Sequence, residues 1–219
     1  MKLLISWSTG KDSAWTLWVL RREGANVGGL LTSVNETAGR VSMHGVREEI
    51  LRAQAAAAGL PLMTIPLPWP CSNDIYERRL RAAVDRAVAD GFTHVAFGDL
   101  FLEDVRKYRE DRLAGTALTP IFPLWGRDTR ALAHEMIAGG LRARVSCLDP
   151  RVLPRDLIGA EFDERFLARL PPGTDPCEER GEFHTCATAG PMFSTPIPIE
   201  PGEVVERDGF VFGDFSLRR

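Results

Sequence analysis

Apolar and polar positions along the first half of the chain change period repeatedly. Lys2–Trp7 is a short apolar run, and Lys11–Arg22 then places Ala14, Leu17 and Trp18 at helical spacing. Val27–Val34 is again apolar and β-branched. Val46–Ala58 sets Val46, Ile50 and Leu51 on one side and stops at Gly59, a helix terminator. Leu62–Leu67 reads as a strand. Tyr76–Asp90 aligns Tyr76, Leu80, Ala83, Val84 and Ala87 before Gly91, and Thr93–Phe97 is the next strand, closed by Gly98-Asp99. Strands alternating with helices predict right-handed crossovers and an α/β fold: a Rossmann-like parallel sheet with flanking helices.

The second half is less regular. A helix is expected over Ala131–Ile137 and a strand over Arg144–Leu148, followed by a turn-rich break at Pro171–Pro176. Short antiparallel strands are expected at His184–Ala187, Thr195–Ile199 and Val204–Phe215, the last folding around Arg207-Asp208-Gly209. The plan is a parallel α/β domain over 1–125 and a smaller α+β portion over 126–219.

Composition narrows the class. With 44% apolar and 26% charged residues in 219, the sequence is that of a globular protein, not of a disordered or collagen-like chain. No run of eighteen apolar residues exists, and the apolar start breaks after four residues without a small-residue cleavage site, so a cytoplasmic protein is expected. A net charge of −3 argues against binding nucleic acid by bulk electrostatics. Arg outnumbers Lys 24 to 3, which makes each lysine worth locating. Cys71, Cys147, Cys177 and Cys186 form no C-x-x-C pair, so free thiols are expected rather than a disulfide framework or zinc site. No two histidines have metal-ligand spacing; His94 and His134 read as structural, and Trp7, Trp15 and Trp18 as core.

The chemistry concentrates in Ser8-Thr9-Gly10-Lys11-Asp12-Ser13, between the first strand and the first helix. A helix N-terminus offers unsatisfied N–H groups and a positive dipole end to an anion. Gly10 permits close approach, Ser8, Thr9 and Ser13 add hydroxyls, and Lys11 adds a charge. A Walker A loop fails, because Asp12 follows Gly10-Lys11 and Ile5 occupies the earlier glycine position; G-x-G-x-x-G is absent too. The competing reading makes Ser8 and Asp12 ordinary helix caps. Two acidic segments join this loop. Asp99, Glu103 and Asp104 follow a parallel strand, where open α/β sheets bind ligands, although acidic residues also suit any first helical turn. Three glutamates crowd into the five residues from Glu178 to Glu182, of which Glu179 and Glu182 could hold a cationic group, a metal or ammonia, or the run is a solvated charge cluster.

The hexapeptide resembles the PP-loop, S-G-G-x-D-S, of the N-type ATP pyrophosphatase superfamily, with Thr9 where the pattern usually has its first glycine. Other segments extend the resemblance to the diphthine–ammonia ligase family, in its bacterial-type branch. They are Gly98-Asp99 with Tyr108-Arg109, Thr119-Pro120 with Pro123-Leu124-Trp125-Gly126, and Glu179-x-Gly181-Glu182-Phe183-x-Thr185 ending in Gly190-Pro191-Met192-Phe193. The family's usual Gly-Glu-Gly/Asn before Gly181-Glu182 is Glu178-Glu179-Arg180 here, and His184 replaces a second acidic residue. The resemblance implies an adenine nucleotide alpha hydrolase-like fold. It also implies an ATP-dependent ligase that activates a carboxylate as an acyl-adenylate, releases pyrophosphate, and lets ammonia or an amine displace AMP. On that reading Ser8 to Ser13 hold ATP, Lys11 and the loop N–H groups stabilise pyrophosphate, and Asp12 holds Mg²⁺. His44 contacts the adenine side, Trp125 lines the cleft, and Asp99, Glu179 and Glu182 position the amine or accept its proton. Asp99, Glu103, Asp104, Tyr108, Glu179 and Glu182 contact substrate. Two alternatives stay open: PP-loop thiolation of tRNA, which would depend on Cys177 or Cys186, and a non-catalytic ATP-binding module.

Overall fold

The first strand, β1 (Leu3–Ser6), is apolar throughout because both of its faces are covered: Ile5 joins one hydrophobic core and Leu4 another. In this computed structural model, which describes residues 1–218, β1 leads into α1 (Lys11–Arg22) and β2 (Val27–Asn35). A two-residue strand, β3 (Arg40–Val41), folds back on the end of β2; α2 (Glu48–Ala58) and β4 (Leu62–Leu67) follow. Next come α3 (Asn73–Ala89), β5 (His94–Ala96), α4 (Glu103–Leu113) and β6 (Thr119–Ile121).

Pairing registers fix the sheet. Ile5 stands opposite Leu30 of β2 and Ala96 of β5, while β4 takes the other edge of β2 and β6 the other edge of β5. The parallel order is therefore β4-β2-β1-β5-β6, with β3 extending β2 beyond the end of β1. The chain winds one way from β1 and the other way into β5, so a topological switch point opens between their carboxyl ends. Both edge strands carry a proline, Pro66 in β4 and Pro120 in β6, where a missing N–H costs no ladder bond. Gly59 ends α2 at φ 65°, in the left-handed region.

The remaining chain builds a second sheet. It contains α5 (Thr129–Ala138), β7 (Arg142–Leu148), a 3₁₀ turn at Arg155–Leu157, α6 (Glu164–Arg169), β8 (Phe183–Ala189), β9 (Ile199–Arg207) and β10 (Phe210–Leu217). The strands run antiparallel in the order β8-β7-β10-β9. The β9–β10 hairpin closes on Asp208-Gly209, both left-handed, as a two-residue turn matched to strand twist requires. The strand expected at Thr195–Ile199 begins only at Ile199, because Pro196 and Pro198 remove the alternate donors a ladder would use. The α1 and α2 side of the first sheet and the second sheet share one core, in which Ile5, Leu17 and Ile50 accompany Val145, Phe183 and Val211. Among the described residues, no helix is long and apolar enough to cross a membrane.

Candidate functional site

The turn after β1 begins where the Trp7 amide donates to Leu31 O at 2.8 Å. Gly10 is the N-cap of α1 and has no side chain to cap it, and the first helical N–H goes to Thr185 Oγ1, so Ser8 and Asp12 are not ordinary helix caps. Ser8 and Ser13 instead organise the turn. The Gly10 amide donates to Ser8 Oγ at 3.3 Å, Ser13 Oγ donates to Gly10 O at 3.0 Å, and the two hydroxyls lie 3.2 Å apart. Close approach explains two glycines. A Cβ on Gly10 would come within 2.8 Å of His44 Cε1, and one on Gly98, after β5, within 3.1 Å of the Asp12 backbone. Thr9 has a φ of 74°, a conformation that suits the glycine of the PP-loop pattern better than a β-branched residue.

A cavity of about 530 Å³ opens at the switch point between β1 and β5. Its lining includes Ser8, Asp12, Ser13, His44, Glu178, Glu179 and His184, together with Tyr76, Phe97, Asp99, Tyr108, Arg109 and Arg112 and the apolar Leu80 and Val84 of α3. Thr9, Gly10 and Lys11 back this wall without lining it. Glu103 and Asp104 are exposed in the first turn of α4, and Glu182 and Trp125 also lie outside the lining. The Trp125 ring is covered by the Arg106 guanidinium, 4.8 Å from its centroid.

Lys11 is fully buried. Its Nζ donates to Asp12 Oδ2 at 2.9 Å and to Cys177 O at 2.7 Å, and lies 3.4 Å from Glu178 Oε2. Burial works against the ammonium, but Asp12 and Glu178 more than offset it and hold Lys11 above its ordinary range. One lysine cannot neutralise two carboxylates. Burial pushes Asp12 up to about 7, with Lys11 pulling down and Glu178 adding to the rise; burial raises Glu178 as well. Asp12 Oδ1 and Glu178 Oε2 have no hydrogen-bond partner.

The C-terminal segment from Asp175 to Thr185 straps the loop in place. Asp175 turns it by accepting from the Cys177 and Glu179 amides at 3.2 and 2.9 Å. Glu179 Oε1 accepts from the amides of Leu100, Phe101 and Leu102 at 2.8, 3.1 and 3.3 Å, and so fixes the loop that carries Asp99. Burial raises the Glu179 carboxyl against those three bonds. Glu182 Oε1 accepts from the Asp175 amide at 3.1 Å. Thr185 Oγ1 accepts from the Lys11 amide at 3.1 Å, and Ala187 N donates to Thr9 O at 2.9 Å. Beneath them buried Gln54 donates to Thr9 O and Ala187 O, at 3.0 and 2.7 Å.

His44 stacks on His184 with ring centroids 4.6 Å apart, and its Nδ1 lies 3.1 Å from Thr185 O. Burial, then the neighbouring His184, lower His44 to about 3; burial lowers His184 to about 4, so both rings are neutral at pH 7. Asp99, also in the lining, faces Arg109 Nε at 3.6 Å, and burial raises Asp99 despite that partner. The four cysteines are unpaired; burial lifts Cys186 to about 12 and raises Cys177 strongly. His94 bonds Thr93 and His134 pairs with Glu164, both at the surface and outside the cavity. Among the described residues, no three His, Cys, Asp or Glu side chains converge as a metal cage.

Sequence reasoning did not single out Gln54, Arg112 or Asp175, which carry no motif. It noted Glu178 only as a departure from a pattern.

A search of curated proteins found no match. Among solved structures, a chain described as a predicted subunit of tRNA methyltransferase from Methanocaldococcus jannaschii is similar at 18% identity and a TM-score of 0.42. The match covers 85% of this chain and 95% of that one, and similarity this remote bears on neither activity nor partner. The family model for the diphthamide synthase N-terminal domain matches residues 1–114, just over half of the sequence, including the loop, both glycines and Asp99. The chain therefore belongs to the diphthamide synthase N-terminal domain family, with a loop of the PP type at the end of its first strand.

Proposed function

We propose that the protein is an ATP-dependent ligase that joins a carboxylate to ammonia or an amine, with release of AMP and pyrophosphate. The observation that carries this reading is the N-terminus of α1 set against the cavity at the switch point, with Ser8, Asp12 and Ser13 in its lining. The dipole of that helix and the first-turn N–H groups beyond Lys11 suit a polyphosphate, and Ser8 and Ser13 can exchange their mutual bond for phosphate oxygens. A carboxylate is a poor electrophile. Attack at the α-phosphorus gives an acyl-adenylate, whose AMP is a good leaving group, and charge that grows on pyrophosphate falls against the loop. Lys11 acts here as a buried anchor of the loop rather than as a phosphate clamp. Asp12 Oδ1, a hard oxygen without a hydrogen-bond partner, would hold the Mg²⁺ that accompanies ATP, which would offset charge on the phosphates.

Thiolation of RNA is less well supported. That chemistry needs an accessible thiolate, whereas Cys177 and Cys186 are buried with raised pKa values. The test is calorimetry with Mg·ATP and an unhydrolysable mimic, followed by chromatography of AMP formed from ATP, ammonium and pooled carboxylic acids. Binding is expected, with AMP formation falling about 10²-fold in Asp12→Asn while circular dichroism is unchanged. Binding without AMP would mark a non-catalytic module. No binding would refute the reading.

A further inference from the structure

We infer that the acid this protein activates is an apolar one: a monocarboxylic acid whose hydrocarbon body lies between the first sheet and helices α3 and α4, with its carboxylate at the loop after β1. This rests on the ligase reading above and specifies the class of its carboxylate substrate.

The cavity reaches well below the rim of the sheet. Ser8 in its lining follows the carboxyl end of β1, whereas Leu118, also in its lining, precedes the amino end of β6. Pairing sets Thr119 opposite His94 and His94 opposite Leu3, so Leu118 lies at the level where β1 begins. The same cavity is lined by Leu31, Ile65 and Val95 of the strands, Leu80 and Val84 of α3 and Leu113 of α4. All but Leu80 are buried members of the second hydrophobic core, and Val84, Val95, Leu113 and Leu118 are 6% exposed or less. Protein interiors are normally close-packed, and water gains little in a space walled by hydrocarbon. An apolar body suits it better.

The charged residues that α4 adds to the lining do not call for a counterion. Arg109 faces Asp99, and Arg112 pairs with Glu77 of α3. A second carboxylate or an ammonium on the acid would lose its water there and meet groups already paired. A purine suits this space no better, because its ring nitrogens and amino group need hydrogen-bond partners once buried. The cavity offers such partners at Ser33 and Ser42, toward the carboxyl end of β2, and at Tyr76 and Tyr108; the wall of leucine and valine offers none.

The reaction sets the direction of the acid. Adenylation needs a carboxylate oxygen at the α-phosphorus, beside the loop that receives pyrophosphate. With its carboxylate there, the acid extends its hydrocarbon down the face of the sheet toward Val95 and Leu118. Each methylene buried on that path tightens binding about fourfold.

The experiment is calorimetry of the full chain with hexanoate, heptanoate and octanoate, first alone and then with Mg²⁺ and a saturating unhydrolysable ATP mimic. Octanoate is expected to bind about fifteenfold more tightly than hexanoate in both series. Succinate and glutamate should not bind measurably. Leu80→Trp and Val84→Phe fill the space, and each should weaken octanoate about tenfold or more while leaving the affinity for the mimic unchanged. A chain-length ratio near one, a polar acid binding as tightly as octanoate, or undiminished octanoate binding in both variants would overturn the inference. So would loss of octanoate binding once the mimic is bound, which would assign the space to the nucleotide. Binding of the mimic without any binding of octanoate refutes this inference alone. An intact chain-length ratio without binding of the mimic refutes the ligase reading and leaves the apolar site standing.

Discussion

Replacing Thr9 by glycine should stabilise the protein, against the usual cost of putting glycine into a folded chain. Thr9 is completely buried at φ 74°, and its Oγ1 has no hydrogen-bond partner. The left-handed conformation costs an L-residue about 1–2 kcal/mol. A buried hydroxyl without a partner costs about 1–3 kcal/mol. Against these gains stand about 0.4–1 kcal/mol for the extra freedom of glycine in the unfolded chain and about 1.6 kcal/mol for the two buried carbons lost. Taking the middle of each range, Thr9→Gly gains about 1 kcal/mol. The bonds that pin the turn, from Ala187 N and Gln54 Nε2 to Thr9 O, use backbone oxygen and survive the substitution. Urea unfolding is the assay: the midpoint should rise with an unchanged slope, because no more surface is exposed. Thr9→Ala keeps the backbone strain and should recover only the hydroxyl part. A fall of about 1 kcal/mol or more in Thr9→Gly would refute the reasoning and make the threonine a favourable contact.

Two further substitutions probe how the second sheet holds the loop. Gln54→Leu strands Trp7 Nε1, which donates to Gln54 Oε1 at 2.8 Å, and Ala187 O; a loss of about 2–4 kcal/mol is expected in urea unfolding, and near-neutrality would mean the strap does not depend on it. Asp214 on β10 receives Arg40 Nη1 at 2.7 Å and the Arg47 guanidinium at 2.5 Å. Partial burial pushes its carboxyl up, but the hydrogen bonds from Arg47 and Arg40 pull it down harder, to about 2, below an unfolded value of about 3.9. A depressed folded pKa contributes stability above the unfolded value and loses it as pH falls toward the folded one. Asp214→Asn should therefore cost about 1 kcal/mol at pH 7, discounted for the exposure of Arg47, and the deficit should shrink between about pH 4 and pH 2. A deficit independent of pH in that window would assign it to packing instead.

Which parts of this molecule are legible from sequence follows from how far each signal reaches. The helix over Lys11–Arg22 and the strand over Leu62–Leu67 are found where periodicity and glycine stops place them, because those signals are local. β6 escapes, since three residues with Pro120 among them give no period, and only pairing with β5 makes them a strand. The loop is legible too, as its residue types alone imply a tight turn into a helix N-terminus, which is where α1 begins. What sequence does not carry is direction. Lys11 and Asp12 are neighbours, yet at the first turn of α1 one side chain goes under the loop toward Cys177 and the other into the cavity. The glutamates differ for a sharper reason. Left-handed residues at Glu178 and Gly181 reverse the chain twice, so Glu178 enters the cavity, Glu179 reaches the amides of residues 100–102, and Glu182 turns back to Asp175. Spacing in a run of like charges predicts a shared task only where the backbone is regular. Here the irregular turn divides three identical side chains between the cavity wall and the turns that support it, and it does so through Glu178, held in a left-handed conformation.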